Sequence, residues 1–403
     1  MNKNLLMIMY KKGYYRLLLF VIIGITSSWN IAFASCCPNS MISTFDSNET
    51  VIEDTSFKVV GYLRPKGFKT LDYLDLSKTT HVMLSFANVD SNGVLVFEKG
   101  IDFTDVVQKL QLQGVKVIMS IGGGGVSEST SSNWNKYIRN DREKLISGIV
   151  DYVEIYNLDG IDIDFEGDFI RSLGDHYNVF SKELQVALHS KGLSLSAAFP
   201  GRFLYGNVTK ETLQVFDFIN VMSYGVTHPN RPKNPGQHSP MWLIQTAVDF
   251  WHHKRGVSLN KIIFGLPFMG FDFSEDSTYK WGIIWRNIIK NNPENGYVDR
   301  HDQMWYNGIP TIAKKTHRSM ELFGGVMVWS YEMDVNSDMS LLKVINQVVD
   351  AGLKEGAEIK TFFADEDGDG YGNIYKPLQA YEPPQGYVLN RKDLNDRDTS
   401  VHP

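Results

Sequence analysis

The chain is poor in cysteine. Two residues, the adjacent Cys36 and Cys37, are all that stand in 403 positions, which excludes a disulfide framework and a cysteine-rich zinc site. It also lacks an excess of positive charge. The formal net charge is −6, the opposite of the basic face that a nucleic-acid partner needs. The apolar run at residues 17–25 is too short to cross a bilayer as a helix. What remains is the composition of a folded protein, 43% hydrophobic and 21% charged, long enough for one large domain and a smaller piece. Aromatic content of 12% accords with a large core or a surface that stacks on flat ligands.

The first segment reads as an export leader. Lys3, Lys11, Lys12 and Arg16 precede the apolar run, and Ala32-Phe33-Ala34 supplies a small-x-small cleavage pattern. Cleavage after Ala34 is expected, with the product extracellular or on the cell surface and without a transmembrane span. Phe33-Ala34-Ser35-Cys36 is similar to a lipoprotein cleavage box, so a lipid anchor at Cys36 is an alternative end to the same export route. Residues 35–56 read as a polar linker.

Eight short apolar runs follow, at 57–63, 81–87, 115–121, 160–165, 193–199, 216–224, 261–269 and 324–331. Each is rich in Val, Ile, Phe or Met and bounded by Gly, Pro, Asp or Asn, the pattern of a buried parallel strand. Helical stretches lie between them, among them 141–156, 176–191, 240–254 and 309–322. Strand and helix alternating eight times predicts an α/β fold, a (β/α)8 TIM barrel over residues 57–352. A doubly wound open sheet competes, but the turn after the first run, Val60-Gly61-Tyr62-Leu63-Arg64-Pro65, is not a glycine-rich phosphate turn.

The fourth run carries the chemistry. In Asp159-Gly160-Ile161-Asp162-Ile163-Asp164-Phe165-Glu166 the strand period places Asp162, Asp164 and Glu166 on one face and Ile161, Ile163 and Phe165 on the other. The apolar set suits the helix-facing side, so the acids point into the barrel and climb toward its C-terminal mouth, about 6.6 Å apart along the strand. Such a column cannot ionise fully in a dry interior, and at least one member is expected to stay protonated. Mg²⁺ or Mn²⁺ binding is the other use of inward acids, but no histidine cluster stands at the other strand ends to match.

This octapeptide resembles the signature of the family 18 glycoside hydrolases, the chitinases and endo-β-N-acetylglucosaminidases. The resemblance extends over roughly residues 57–350. Val59-Val60-Gly61-Tyr62, Leu84-Ser85-Phe86-Ala87, Ser120-Ile121-Gly122-Gly123, Met222-Ser223-Tyr224 and Val328-Trp329-Ser330-Tyr331 are similar to other family marks. It implies cleavage of β-1,4 bonds next to N-acetylglucosamine with retention, the 2-acetamido oxygen of the substrate acting as nucleophile, an exception to the two-carboxylate rule. By position, Glu166 is then the acid and base. Asp164 meets the acetamide N–H, and Asp162 shares a proton with Asp164. Tyr224 donates to the acetamide carbonyl beside Met222, Trp329 floors the −1 sugar, and Tyr62 and Phe86 wall the pocket. No cofactor is implied for catalysis, and the implied partner is a polysaccharide or glycan containing N-acetylglucosamine. Within the resemblance two other outcomes stay open: an endo-β-N-acetylglucosaminidase acting on N-linked glycans, and a non-catalytic glycan-binding lectin on the same barrel.

The chain departs from the family pattern at three places. Gly225 stands where many members have Asp. The stretch 270–323 lacks the mark of the larger α+β insertion. The loops after Ala87 and Phe199 are short. The last two point to an open groove and endo-type cutting.

Beyond Leu353 the pattern changes. Asp365, Asp367 and Asp369 alternate with Glu366 and glycines, and Asp393, Asn395, Asp396 and Asp398 form a second acidic run. Hard oxygens at alternate positions with glycine at the bend suit Ca²⁺. The run starts like an EF-hand loop, but its twelfth position is Lys376. The region 361–403 resembles the Asp-Gly-rich calcium repeats of thrombospondin type 3 kind, with Tyr381 and Leu394 where a cysteine pair often stands. A small Ca²⁺-binding module is expected, and a flexible acidic spacer is the alternative.

Overall fold

The computed structural model describes residues 57–400, apart from 232–233, 276, 278–281 and 394. The expected leader, the linker and Cys36 lie outside the described residues. Eight parallel strands close on themselves: β1 Lys58–Leu63, β2 His81–Val89, β3 Lys116–Gly122, β4 Gly160–Asp164, β5 Ser194–Pro200, β6 Phe218–Met222, β7 Ile262–Pro267 and β8 Gly325–Trp329. Neighbours in sequence are neighbours in the sheet, and β1 pairs with both β2 and β8, which removes the edges. The eight runs read from the sequence are these strands.

The pleat sorts the core into two. Val60, Tyr62, Met83, Ile118, Phe218, Ile263 and Met327 form the interior cluster. The alternate residues, Ile161, Ile163 and Phe165 among them, join the larger layer between strands and helices. Phe165 shows what holds β4 in register. Its ring lies 5.1 Å from Trp134, 4.5 Å from Phe169 and 6.3 Å from Phe180, all on surrounding helices. Burial of such a side chain contributes about 1.5–3 kcal/mol. Three of them outward therefore hold three acids inward.

Several helices match the expected ranges, with Arg142–Ile155, Asp175–His189 and Ile309–Leu322 in their places. The expected helix 240–254 is α-helical at Leu243–Ala247 and π-helical over Val248–Lys254, a change of winding that apolar periodicity does not reveal. The connection after Ala87 is a hairpin rather than a short loop. β2 runs on to Val89 and the chain returns as the antiparallel strand Leu95–Phe97. After β7 the extra material folds as a small sheet of Ile283–Ile284, Met269–Asp272, Met304–Trp305 and Arg300–His301, in that order. No helix among the described residues is long and apolar enough to cross a membrane.

The C-terminal stretch forms an antiparallel sheet, β9 Lys360–Ala364 between β10 Pro377–Ala380 and β11 Tyr387–Val388. It packs on the barrel's outer helices. The Tyr381 hydroxyl lies 2.9 Å from His317 Nε2 and donates to the Gly352 carbonyl at 2.6 Å. Arg391 pairs with Glu294 at 2.8 Å and covers the ring of Tyr297.

Candidate active site

The site is built upward from β4. Register places Ser120 of β3 and Ser196 of β5 directly beside Asp162, and all three face inward. Asp162 is fully buried, and its two oxygens accept four hydrogen bonds. Oδ2 takes Tyr62 Oη and Ser120 Oγ, both at 2.8 Å, and Oδ1 takes Ser196 Oγ at 2.7 Å and Asn220 Nδ2 at 3.2 Å. Burial raises its pKa, and the four donors oppose the rise.

Asp164, one step nearer the mouth, is in a different state. It is 3% exposed, and its Oδ1 is buried with no donor among the described residues. Burial, then the charges of Glu166 and Asp162, push its pKa well above the carboxylate range. Glu166 is partly exposed and its pKa is raised by burial. It lines a cavity of about 310 Å³ with Met222, Tyr224, Gly225, Arg202 and Tyr205. The column thus runs from a saturated carboxylate, through one with a free acceptor, to one at the surface of a cavity.

The glycine turn after β3 makes room for this. Gly123 has φ +96°, and a Cβ there would lie 2.6 Å from the Phe86 ring. At Gly124 a Cβ would lie 2.6 Å from Glu166 Oε1. Any side chain at that position would move the acid.

The aromatic residues expected around the site converge on it. Trp329 closes β8, with its ring 6.0 Å from Phe86 and 5.6 Å from Tyr62. Tyr62 is buried beside Trp329 and donates to Asp162 rather than standing open as a wall. The Tyr224 hydroxyl has its pKa raised by burial and by the charges of Asp164 and Glu166. Gly225 is exposed at φ +76°, a backbone that an aspartate would adopt with strain.

Sequence reasoning missed Ser196 and Asn220. Both are polar residues at inward parity within buried runs, and that parity was the available signal. It also missed Arg64, whose guanidinium lies 5.3 Å from the Trp329 ring centroid and 2.5 Å from Glu332 Oε1.

In the C-terminal sheet, single carboxylate oxygens of Asp365, Asp367 and Asp396 lie within 4.8 Å of one another. Asp369 and Asp393 are close enough for their charges to act together with Asp367 and Asp396. Asp367, Asp369 and Asp393 each bury an Oδ2 with no donor among the described residues. Asp398 instead accepts from Ser400, and the Asn395 backbone donates to Asp393 at 2.7 Å.

Known proteins share this fold. A chitinase from Flavobacterium johnsoniae, ChiB of its chitin utilization locus, superposes with TM-score 0.68 at 32% identity, covering 73% of this chain and 94% of that one. A chitinase from Bacteroides thetaiotaomicron gives 0.65 at 27%, covering 75% and 99%. Among curated relatives, "Probable chitinase 10" of Drosophila melanogaster is 25% identical over 376 residues, which is 73% of this chain and 16% of that protein. The chain spans less than two thirds of the length of the first curated relatives it matches. The family model for glycosyl hydrolases family 18 matches residues 58–334, from the first residue of β1 to just past β8, and the chain belongs to that family.

Proposed function

We propose that the protein is an exported glycosidase that cuts β-1,4 bonds of chitin-like N-acetylglucosamine polymers with retention, the substrate's own acetamide acting as nucleophile. The observation that carries this reading is the buried, donor-free Oδ1 of Asp164. It lies between a carboxylate that already holds four donors and an acid on the cavity wall. An acetamide N–H is the donor it lacks.

In this scheme Glu166, whose pKa burial raises, gives its proton to the leaving glycosidic oxygen, a step worth about 10²–10⁴-fold in rate. The acetamide oxygen attacks the anomeric carbon as that bond breaks. Asp164 holds the N–H and balances the positive oxazolinium-like ring, and Tyr224 donates to the acetamide oxygen to aim it. As the positive ring develops, the proton held by Asp164 passes to Asp162, so the pair keeps one proton and Asp164 carries the negative charge. Glu166, now a carboxylate, draws a proton from water, which opens the ring with the β-configuration restored. The indole of Trp329 offers an apolar face to the sugar ring. Metal plays no part in these steps.

The test is turnover of p-nitrophenyl β-chitobioside against p-nitrophenyl β-cellobioside. The first should be cleaved and the second, lacking the acetamide, should not. Equal rates would refute the scheme. A high-mannose glycoprotein in a parallel arm tests the glycan-releasing alternative, and the small insertion after β7 supports cutting within chains. The leader motif supports export, and N-terminal sequencing of the secreted chain tests cleavage after Ala34 against lipidation at Cys36.

We further propose that the C-terminal sheet binds Ca²⁺. The donor set of Asp365, Asp367, Asp369, Asp393 and Asp396 is all hard oxygen, and three buried carboxylate oxygens there lack donors. Calorimetry with Ca²⁺ on the full chain tests it; absence of heat would refute it.

A further inference from the structure

A lysine is buried behind the barrel with its charge inside. Lys315, on helix Ile309–Leu322, is 0% exposed. Its Nζ donates to Ser239 O, to Ser239 Oγ at 2.7 Å and to Asn307 Oδ1 at 2.7 Å. Three acceptors meet the three N–H bonds of an ammonium, and no donor faces it from this set. Ser239 closes the long loop that leaves β6, and its Oγ in turn donates to the Ser223 carbonyl at 2.6 Å. Ser223 is followed by Tyr224. The same loop is zipped at its base by Val226 N to His238 O at 3.1 Å, and Asn307 Nδ2 also reaches Ser239 O at 3.1 Å.

We propose that Lys315 is a positioning residue for the reaction: through Ser239 it holds the Ser223 carbonyl, and so holds Tyr224 where the acetamide must be aimed. This rests on the reading of Tyr224 given under Proposed function. The relay is directional. Lys315 donates to the Ser239 hydroxyl, which leaves that hydroxyl free to donate only to Ser223, and such a chain strengthens each bond in it. Removing the ammonium frees the hydroxyl to turn and leaves the carbonyl without its partner.

The charge is poised as well. Burial lowers the Lys315 pKa to about 7, while Asp299 opposes the fall. His238 also faces it, held neutral with a pKa of about 3 by burial and by Lys315 itself. Asp299 is engaged by Gly308 N at 2.8 Å and Thr311 Oγ1 at 2.7 Å. Lys315 is therefore the member of the set that changes charge near neutrality, and the hold on Tyr224 weakens as pH rises through that value.

The experiment compares the full-length protein with Lys315→Met and Ser239→Ala, using hydrogen exchange of peptides from 222–239 and steady-state kinetics on p-nitrophenyl β-chitobioside. Lys315→Met should speed exchange of that segment about tenfold and lower kcat by a similar factor, with KM within about twofold. The unmodified protein should loosen there above pH 7 and the variant should not. A folded Lys315→Met with unchanged exchange, or with faster exchange and unchanged kcat, overturns the inference. If that variant does not fold, Ser239→Ala decides by the same readouts. Absence of turnover by the unmodified protein would instead refute the functional reading, and the exchange data would still judge whether Lys315 holds the segment.

Discussion

At the scale of single residues, the acids at and just beyond the end of β4 sit in three different surroundings. Glu166 borders the cavity, so Glu166→Gln should lower kcat about 10²–10⁴-fold while chito-oligomer binding by calorimetry stays near the wild-type value. Asp164 makes a second prediction. Burial and its neighbours raise its pKa in the folded protein, so native Asp164 keeps a proton that the unfolded chain releases as pH climbs past the ordinary carboxylate value. Its contribution to stability is full below that value and lost as pH rises through the raised one. Asp164→Asn should therefore raise the thermal midpoint at neutral pH, but not at pH 3, while turnover collapses. An unchanged midpoint at neutral pH would argue that Asp164 is not strained. The inward parity of the three acids was legible from the alternation with Ile161, Ile163 and Phe165. Ser196 and Asn220 share that parity, but their contacts with Asp162 are set by register across strands, and Lys315 meets its loop from a helix more than seventy residues away.

At the scale of elements, the eight barrel strands were legible because each is buried on both faces and punctuated by turn residues. The hairpin after β2 was not. Its return strand, Leu95–Phe97, is three residues long, and its pairing is decided by contact with β2 rather than by its own pattern. The turn after β3 offers a test at this scale. Gly124 is not among the positive-φ glycines, so Gly124→Ala should fold with a midpoint close to wild type. Its methyl would nevertheless press on Glu166 Oε1, and kcat should fall at least tenfold, in line with the cost of about 1 Å of misplacement. Full activity would mean that the acid can shift without penalty.

At the scale of the whole molecule, the C-terminal sheet is docked on the barrel through Tyr381, Arg391 and Tyr297. Tyr381 occupies a place where the sequence pattern suggested a missing cysteine, and there it bonds to the Gly352 carbonyl. A ligand that orders this sheet should stabilise the whole chain. Ca²⁺ at about 100 times its dissociation constant should add about 2.7 kcal/mol, seen as a rise in midpoint that chelator reverses and Asp393→Asn abolishes. A midpoint indifferent to Ca²⁺ would remove the metal from the account. The alternation of the acidic run was legible, but the docking was not, since it depends on side chains from three distant parts of the chain.

The account stands on an acetamide that displaces the leaving group from within the substrate. Proton NMR of chitohexaose in the first minutes of cleavage reads this most directly, because the new reducing end is seen before it mutarotates. The β-anomer appearing first is the predicted result; the α-anomer appearing first would contradict it.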